Sequence, residues 1–133
     1  MRLSSLAVIF IFLFLFGCLG PQVSPNAVNL GVKFSWKGIK NCSNHSPLIK
    51  VTKIPAGTKF LKVKLVDLDV TSWNHGGGKV EYKGKGIIPA GSLKSAYNGP
   101  CPPSGSHRYQ FAVHAIDKKG VIIGTGKSVQ KFP

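Results

Sequence analysis

The reading of this 133-residue chain turns on FLKVKLVDLD, Phe60 to Asp69. Leu61, Val63 and Leu65 alternate with Lys62 and Lys64, the period-two pattern of a strand with one apolar face and one wet face. Asp67 and Asp69 continue the odd positions, so the pattern predicts an inward face that turns acidic at the strand's C-terminal end. Burying a carboxylate is unfavourable unless it is paired or hydrogen-bonded. Partners are therefore expected beside it.

A second segment, SHRYQFAVHAI from Ser106 to Ile116, has the matching pattern. Tyr109, Phe111, Val113 and Ala115 share one face with His107 ahead of them, and Arg108, Gln110 and His114 take the other. If the two strands pair antiparallel, Asp67, Asp69, His107 and Tyr109 meet at one end of the core. The preceding loop, Gly99 to Gly105, holds Pro100, Pro102 and Pro103, which fix φ and leave little entropy to lose on binding. The amides of Ser104, Gly105 and Ser106, next to Pro103, form a candidate nest for an anion. His75-Gly76-Gly77-Gly78 reads as a flexible glycine turn or as a second loop bringing amides to the same mouth, with His75 a candidate ligand-binding residue.

Elsewhere, short β-rich runs alternate with Gly, Pro, Asn and Ser breakers: 28–36, 48–54, 79–82 and 128–132. No window of a dozen residues keeps a helical apolar stripe. The expected fold is all-β, an antiparallel sandwich or barrel with at most short helical turns.

The N-terminus reads differently. Arg2 precedes an apolar run of eleven residues, Leu6 to Phe16, short of the roughly 20 that a spanning helix needs. Residues 1–17 are read as a signal peptide. Leu15-Phe16-Gly17-Cys18 resembles a bacterial lipobox, making Cys18 the candidate lipidation site, and residues 18–27 a tether to a domain over 28–133. An ordinary secreted protein is the alternative. With Cys18 acylated, Cys42 and Cys101 remain as an even pair in an oxidising compartment, either as a disulfide or as two free thiols.

Eighteen Lys and Arg against four acids give a formal charge of +14. The lysines are scattered, which predicts a solvated cationic surface drawn to anionic lipid or envelope polymers. No aromatic-basic stacking motif points to nucleic acid. The four histidines show no paired spacing of a zinc site, and no cofactor is expected.

LVDLDV (65–70), HGGG (75–78), GPCPPSGSHRYQF (99–111) and AID (115–117) together resemble the phosphatidylethanolamine-binding family, in its short bacterial Raf-kinase-inhibitor-like branch. The resemblance runs from about Val28 to Phe132. It implies a Greek-key β-sandwich with a small anion-accepting pocket, with Asp67 and Asp69 as the motif aspartates and His107 and Tyr109 as the pocket histidine and tyrosine. Leu68 replaces the proline between the aspartates and Val70-Thr71 the usual Ala-Pro, and Trp73 and His75 lie near the place of a missing His-Trp pair.

The implied function is non-catalytic binding of a small anionic or zwitterionic ligand such as phosphoethanolamine. The protein would be held in the cell envelope by its N-terminal lipid, facing the periplasm of a bacterium. An interaction protein working through its cationic surface, or a kinase- or protease-modulating inhibitor, is the alternative, with an unidentified protein partner. A hydrolase using Ser104 or Ser106 with His107 as base and Asp67 as orienter is the third reading; adjacent Ser106 and His107 project to opposite faces of an extended chain.

Overall fold

The computed structural model describes residues 20–94 and 96–133. The signal segment 1–17 and Cys18 lie outside the described residues. In chain order the strands are β1 (Val23–Asn29), β2 (Gly31–Phe34), β3 (Ile49–Thr52), β4 (Thr58–Asp67), β5 (Asn74–Glu81), β6 (Ile87–Ile88), β7 (Ala96–Tyr97), β8 (His107–Asp117) and β9 (Ile122–Phe132). They form a six-stranded sheet in the order β1-β9-β8-β4-β5-β7 and a three-stranded sheet in the order β2-β3-β6. The fold is all-β, and no helix occurs among the described residues.

The alternation in Phe60–Asp69 sets the centre of the larger sheet. β4 and β8 pair antiparallel with Leu61 opposite Ala115, Val63 opposite Val113, Leu65 opposite Phe111 and Asp67 opposite Tyr109. All eight of these side chains are buried. Lys62 and Lys64 point to the outer face and are exposed. Across the core, Val32, Phe34, Ile49, Val51 and Ile88 from the smaller sheet complete one apolar cluster. Phe34 meets Phe111 edge-on at 4.8 Å and Trp36 at 4.9 Å, geometry that suits the ring quadrupoles.

Three sequence expectations change. The tether expected over 18–27 ends sooner, because Val23–Asn29 forms β1 and pairs parallel with β9. β9 offers that edge unpaired backbone groups: Ile122 N donates to Gln22 O at 2.9 Å and Leu30 N to Thr125 O at 2.8 Å. The sheet is thus antiparallel except for this edge. Pro25 is tolerated there because an edge strand has a side without a ladder.

The run 28–36 is two strands broken at Leu30, where the chain passes from one sheet to the other. The His75-Gly76-Gly77-Gly78 segment is no flexible turn. It lies inside β5, between β4 and β7. Gly76 has φ +64°, and a Cβ there would collide with the Ala96 carbonyl, as one at Gly77 would with the Val63 carbonyl. The glycines let three backbones approach closely, which is a packing role and not a hinge.

The difference can be read by substitution. Gly76→Ala is expected to cost about 2–4 kcal/mol, because backbone strain adds to a backbone clash. Gly105→Ala, with φ +63° but open space around it, should cost only about 1–2 kcal/mol. Urea unfolding of the two variants measures both.

Candidate functional site

β4 ends at Asp67, and the carboxylate organises the turn beyond it. Its Oδ1 accepts the amides of Asp69 at 2.8 Å and Val70 at 3.0 Å, and Oδ2 accepts His107 Nδ1 at 2.7 Å. The Tyr109 side chain next to it favours the ionised carboxylate, and its phenolic oxygen accepts the Cys101 amide at 3.3 Å. A carboxylate offers about four acceptor sites, and internal donors fill three of them. The Asp67 side chain is almost fully buried and His107 is mostly so.

His75 enters from β5 on the other side. Its Nδ1 lies 2.9 Å from Asn98 O and 3.1 Å from Gly99 O, which makes that nitrogen the donor. Its Nε2 is then turned to Asp67 Oδ2 at 4.0 Å, and its ring stands edge-on to Tyr109 at 5.3 Å. Two imidazoles thus flank one carboxylate.

Above them opens a cavity of about 460 Å³. Asp67, His75 and His107 line its polar side; Val70, Trp73, Pro102, Pro103 and the Cys42–Cys101 disulfide line the rest, with Asn41 at the edge. Trp73 and Val70 are 62% and 38% exposed. The mouth is therefore apolar and its floor polar, a usual division in ligand sites. The disulfide, with Cα atoms 4.4 Å apart, ties the proline loop to residues 41–43, and Cys42 N donates to Pro100 O at 2.8 Å.

The sequence model of the family described as phosphatidylethanolamine-binding protein matches residues 21–132. The chain belongs to this family. Among curated relatives, a UPF0098 protein of Methanothermobacter thermautotrophicus is 32% identical over 93 residues, covering 56% of this chain and 62% of the relative. The UPF0098 protein YbhB of Escherichia coli is 33% identical over 107 residues, covering 64% and 68%. A UPF0098 protein of Archaeoglobus fulgidus is 71% identical over 24 residues, only 18% of this chain and 8% of the relative. The chain thus spans less than two-thirds of the Methanothermobacter and Archaeoglobus relatives. Two solved structures share the fold. A phosphatidylethanolamine-binding-protein homologue from Chlamydia trachomatis has TM-score 0.52 at 19% identity, over 81% of this chain and 98% of that one. E. coli YbcL, described as a member of the mammalian family, has TM-score 0.51 at 21% identity, over 85% and 91%.

Within this family member, the residues expected at the site divide. Asp67, His75, Pro103 and His107 border the cavity. Tyr109 is fully buried, does not line it, and accepts the Cys101 amide. Ser104 and Gly105 are exposed and do not line it. Asp69 does not extend the inward face as expected; it is exposed on the outside. Strand parity stops at Asp67, where the two amides drawn onto Oδ1 bend the chain, and Asp69 Oδ2 instead accepts Arg108 N at 2.6 Å and Oδ1 accepts Arg108 Nη2 at 2.8 Å. Val70, Pro102 and Asn41 were missed. An apolar valine after an Asp-turn and a lone asparagine carry no chemical signal in sequence.

Both carboxylates titrate low. For Asp67, burial pushes the pKa up, but the His107 bond, the two amides and the Tyr109 hydroxyl outweigh it and hold it below 3.8. The side-chain and backbone hydrogen bonds from Arg108 hold Asp69 down at about 2. Burial, then the neighbouring Asp67 carboxylate, pushes Tyr109 up to about 12. A depressed acid contributes stability that is complete above its unfolded pKa and lost as pH falls through the folded one.

Stability is accordingly expected to drop as pH falls from about 4 toward 2. Asp67→Asn should cost about 1–3 kcal/mol at neutral pH, because it disturbs a buried set of donors, and the gap from wild type should narrow in acid. Denaturant unfolding across that range tests both. Reducing the disulfide frees the unfolded chain of a closed loop and should lower stability by about 2–4 kcal/mol, read as a fall in melting temperature.

Proposed function

We propose that the protein is a non-catalytic binding protein whose cavity takes a small phosphate-bearing polar ligand of the phosphoethanolamine type. The observation that carries this is the Asp67-bound His107 at the floor of a rigid cavity with an apolar mouth. Asp67 holds His107 through Nδ1, so Nε2 is the atom left for a ligand. A phosphate suits that position, either donating its P–OH to the neutral imidazole or accepting Nε2–H from the imidazolium, and the apolar part of the ligand lies against Trp73 and Val70. Because internal donors occupy most of the Asp67 carboxylate, its role in this reading is to orient the imidazole. Binding without turnover fits a cavity that Ser104 and Ser106 do not line.

The N-terminal apolar run and Cys18 support an exported, lipid-anchored protein in a prokaryotic envelope, with the Cys42–Cys101 disulfide suited to an oxidising compartment.

Titration calorimetry should give heats of binding for phosphoethanolamine that are lost in His107→Ala and weakened at least about tenfold in Asp67→Ala, the range for removing one partner of a buried, charged hydrogen bond. Inorganic phosphate or acetate binding as tightly as phosphoethanolamine would remove the headgroup reading.

A further inference from the structure

The second region that asks for a ligand is on the opposite sheet. Lys33 of β2 and Lys50 of β3 are direct cross-strand partners in an antiparallel pair, and both are exposed on its outer face. Like charges placed this way repel and weaken a sheet. Lys37 joins them along a groove of about 490 Å³, with His45 on its edge.

No carboxylate of the chain offsets this charge. All four acids lie on the six-stranded sheet or the turn after β4, and each is engaged there: Asp67 with His107, Asp69 with Arg108, Glu81 with Lys83 at 3.5 Å, and Asp117 with the amides of Lys119 and Val121. A counter-charge for Lys33, Lys37 and Lys50 has to come from outside.

The groove is not simply cationic. Leu48, two residues before Lys50 on the same face, is 50% exposed and lines it, and Ile87, the cross-strand partner of Lys50, is 44% exposed. Ile39 and Pro47 line the same groove. Three cations among exposed branched aliphatic side chains match a molecule with an anionic head and an apolar body; a bare anion would leave the aliphatic surface in water.

We propose that this groove is a second binding site, separate from the Asp67 cavity, for an anionic amphiphile such as an acidic phospholipid. The anionic head sits between Lys33, Lys37 and Lys50, and the apolar body covers Leu48 and Ile87. Filling it relieves the Lys33–Lys50 repulsion.

The test is nuclear magnetic resonance of the full chain with monomeric dihexanoylphosphatidylglycerol, compared with dihexanoylphosphatidylcholine and inorganic phosphate. The expected result is a saturable shift of the Leu48 and Ile87 methyl signals and the Lys33 and Lys50 amides, with the anionic lipid at least about tenfold tighter than either comparison ligand. Lys33→Gln with Lys50→Gln should weaken it about tenfold or more. The same pair should melt no lower than wild type, since it removes a repulsion. Lys37→Gln, outside the strands, carries the test if the double variant does not fold. Equal binding of phosphate or the zwitterionic lipid, shifts centred on Trp73 and His107, or shifts spread evenly over the lysines would overturn the proposal.

Discussion

The Asp67 carboxylate is the constraint on which the functional end of the molecule depends. It receives donors from the turn it precedes and from the first residue of β8. They fix the bend that turns Asp69 outward and the imidazole of His107, while the buried Tyr109 phenol holds the proline loop at Cys101. A buried acid with fewer partners would take up a proton and release them. Its internal donors make the site rigid, and in the proposed function they are also why the acid orients His107 more readily than it contacts a ligand.

Rigidity on the far wall has a separate origin. The three glycines of β5 bring its backbone against β4 and β7, and this places His75 beside Asp67 without a loop that could move. The disulfide closes the third side by joining the proline loop to residues 41–43. Hydrogen bonds, backbone packing and a covalent link thus meet around one cavity, and no single one of them builds it.

The scarcity of acids shapes both surfaces. Four carboxylates serve a chain of formal charge +14, and all are spent on the larger sheet and its turns. The smaller sheet is left with paired lysines and exposed aliphatic side chains, a combination whose natural complement is an anion with an apolar body.

Local pattern was enough for part of this. Alternation in 60–67 and 107–115 determined the two central strands and their inward faces, because side-chain direction in a strand follows from position alone. The prolines announced a stiff loop, and two cysteines in a chain whose N-terminus reads as a signal peptide announced a candidate bridge. The rest needed the assembled molecule. Asp69 follows the inward parity in sequence, yet a bend created by donors to Asp67 sends it out to Arg108. The glycines of β5 read as breakers, because a missing side chain looks the same whether it frees the backbone or admits a neighbour. Val70, Trp73 and Pro102 converge on the cavity only after β4, β5 and the proline loop are set side by side. A pocket is a property of surfaces brought together from distant parts of the chain, and sequence spacing carries no measure of that distance.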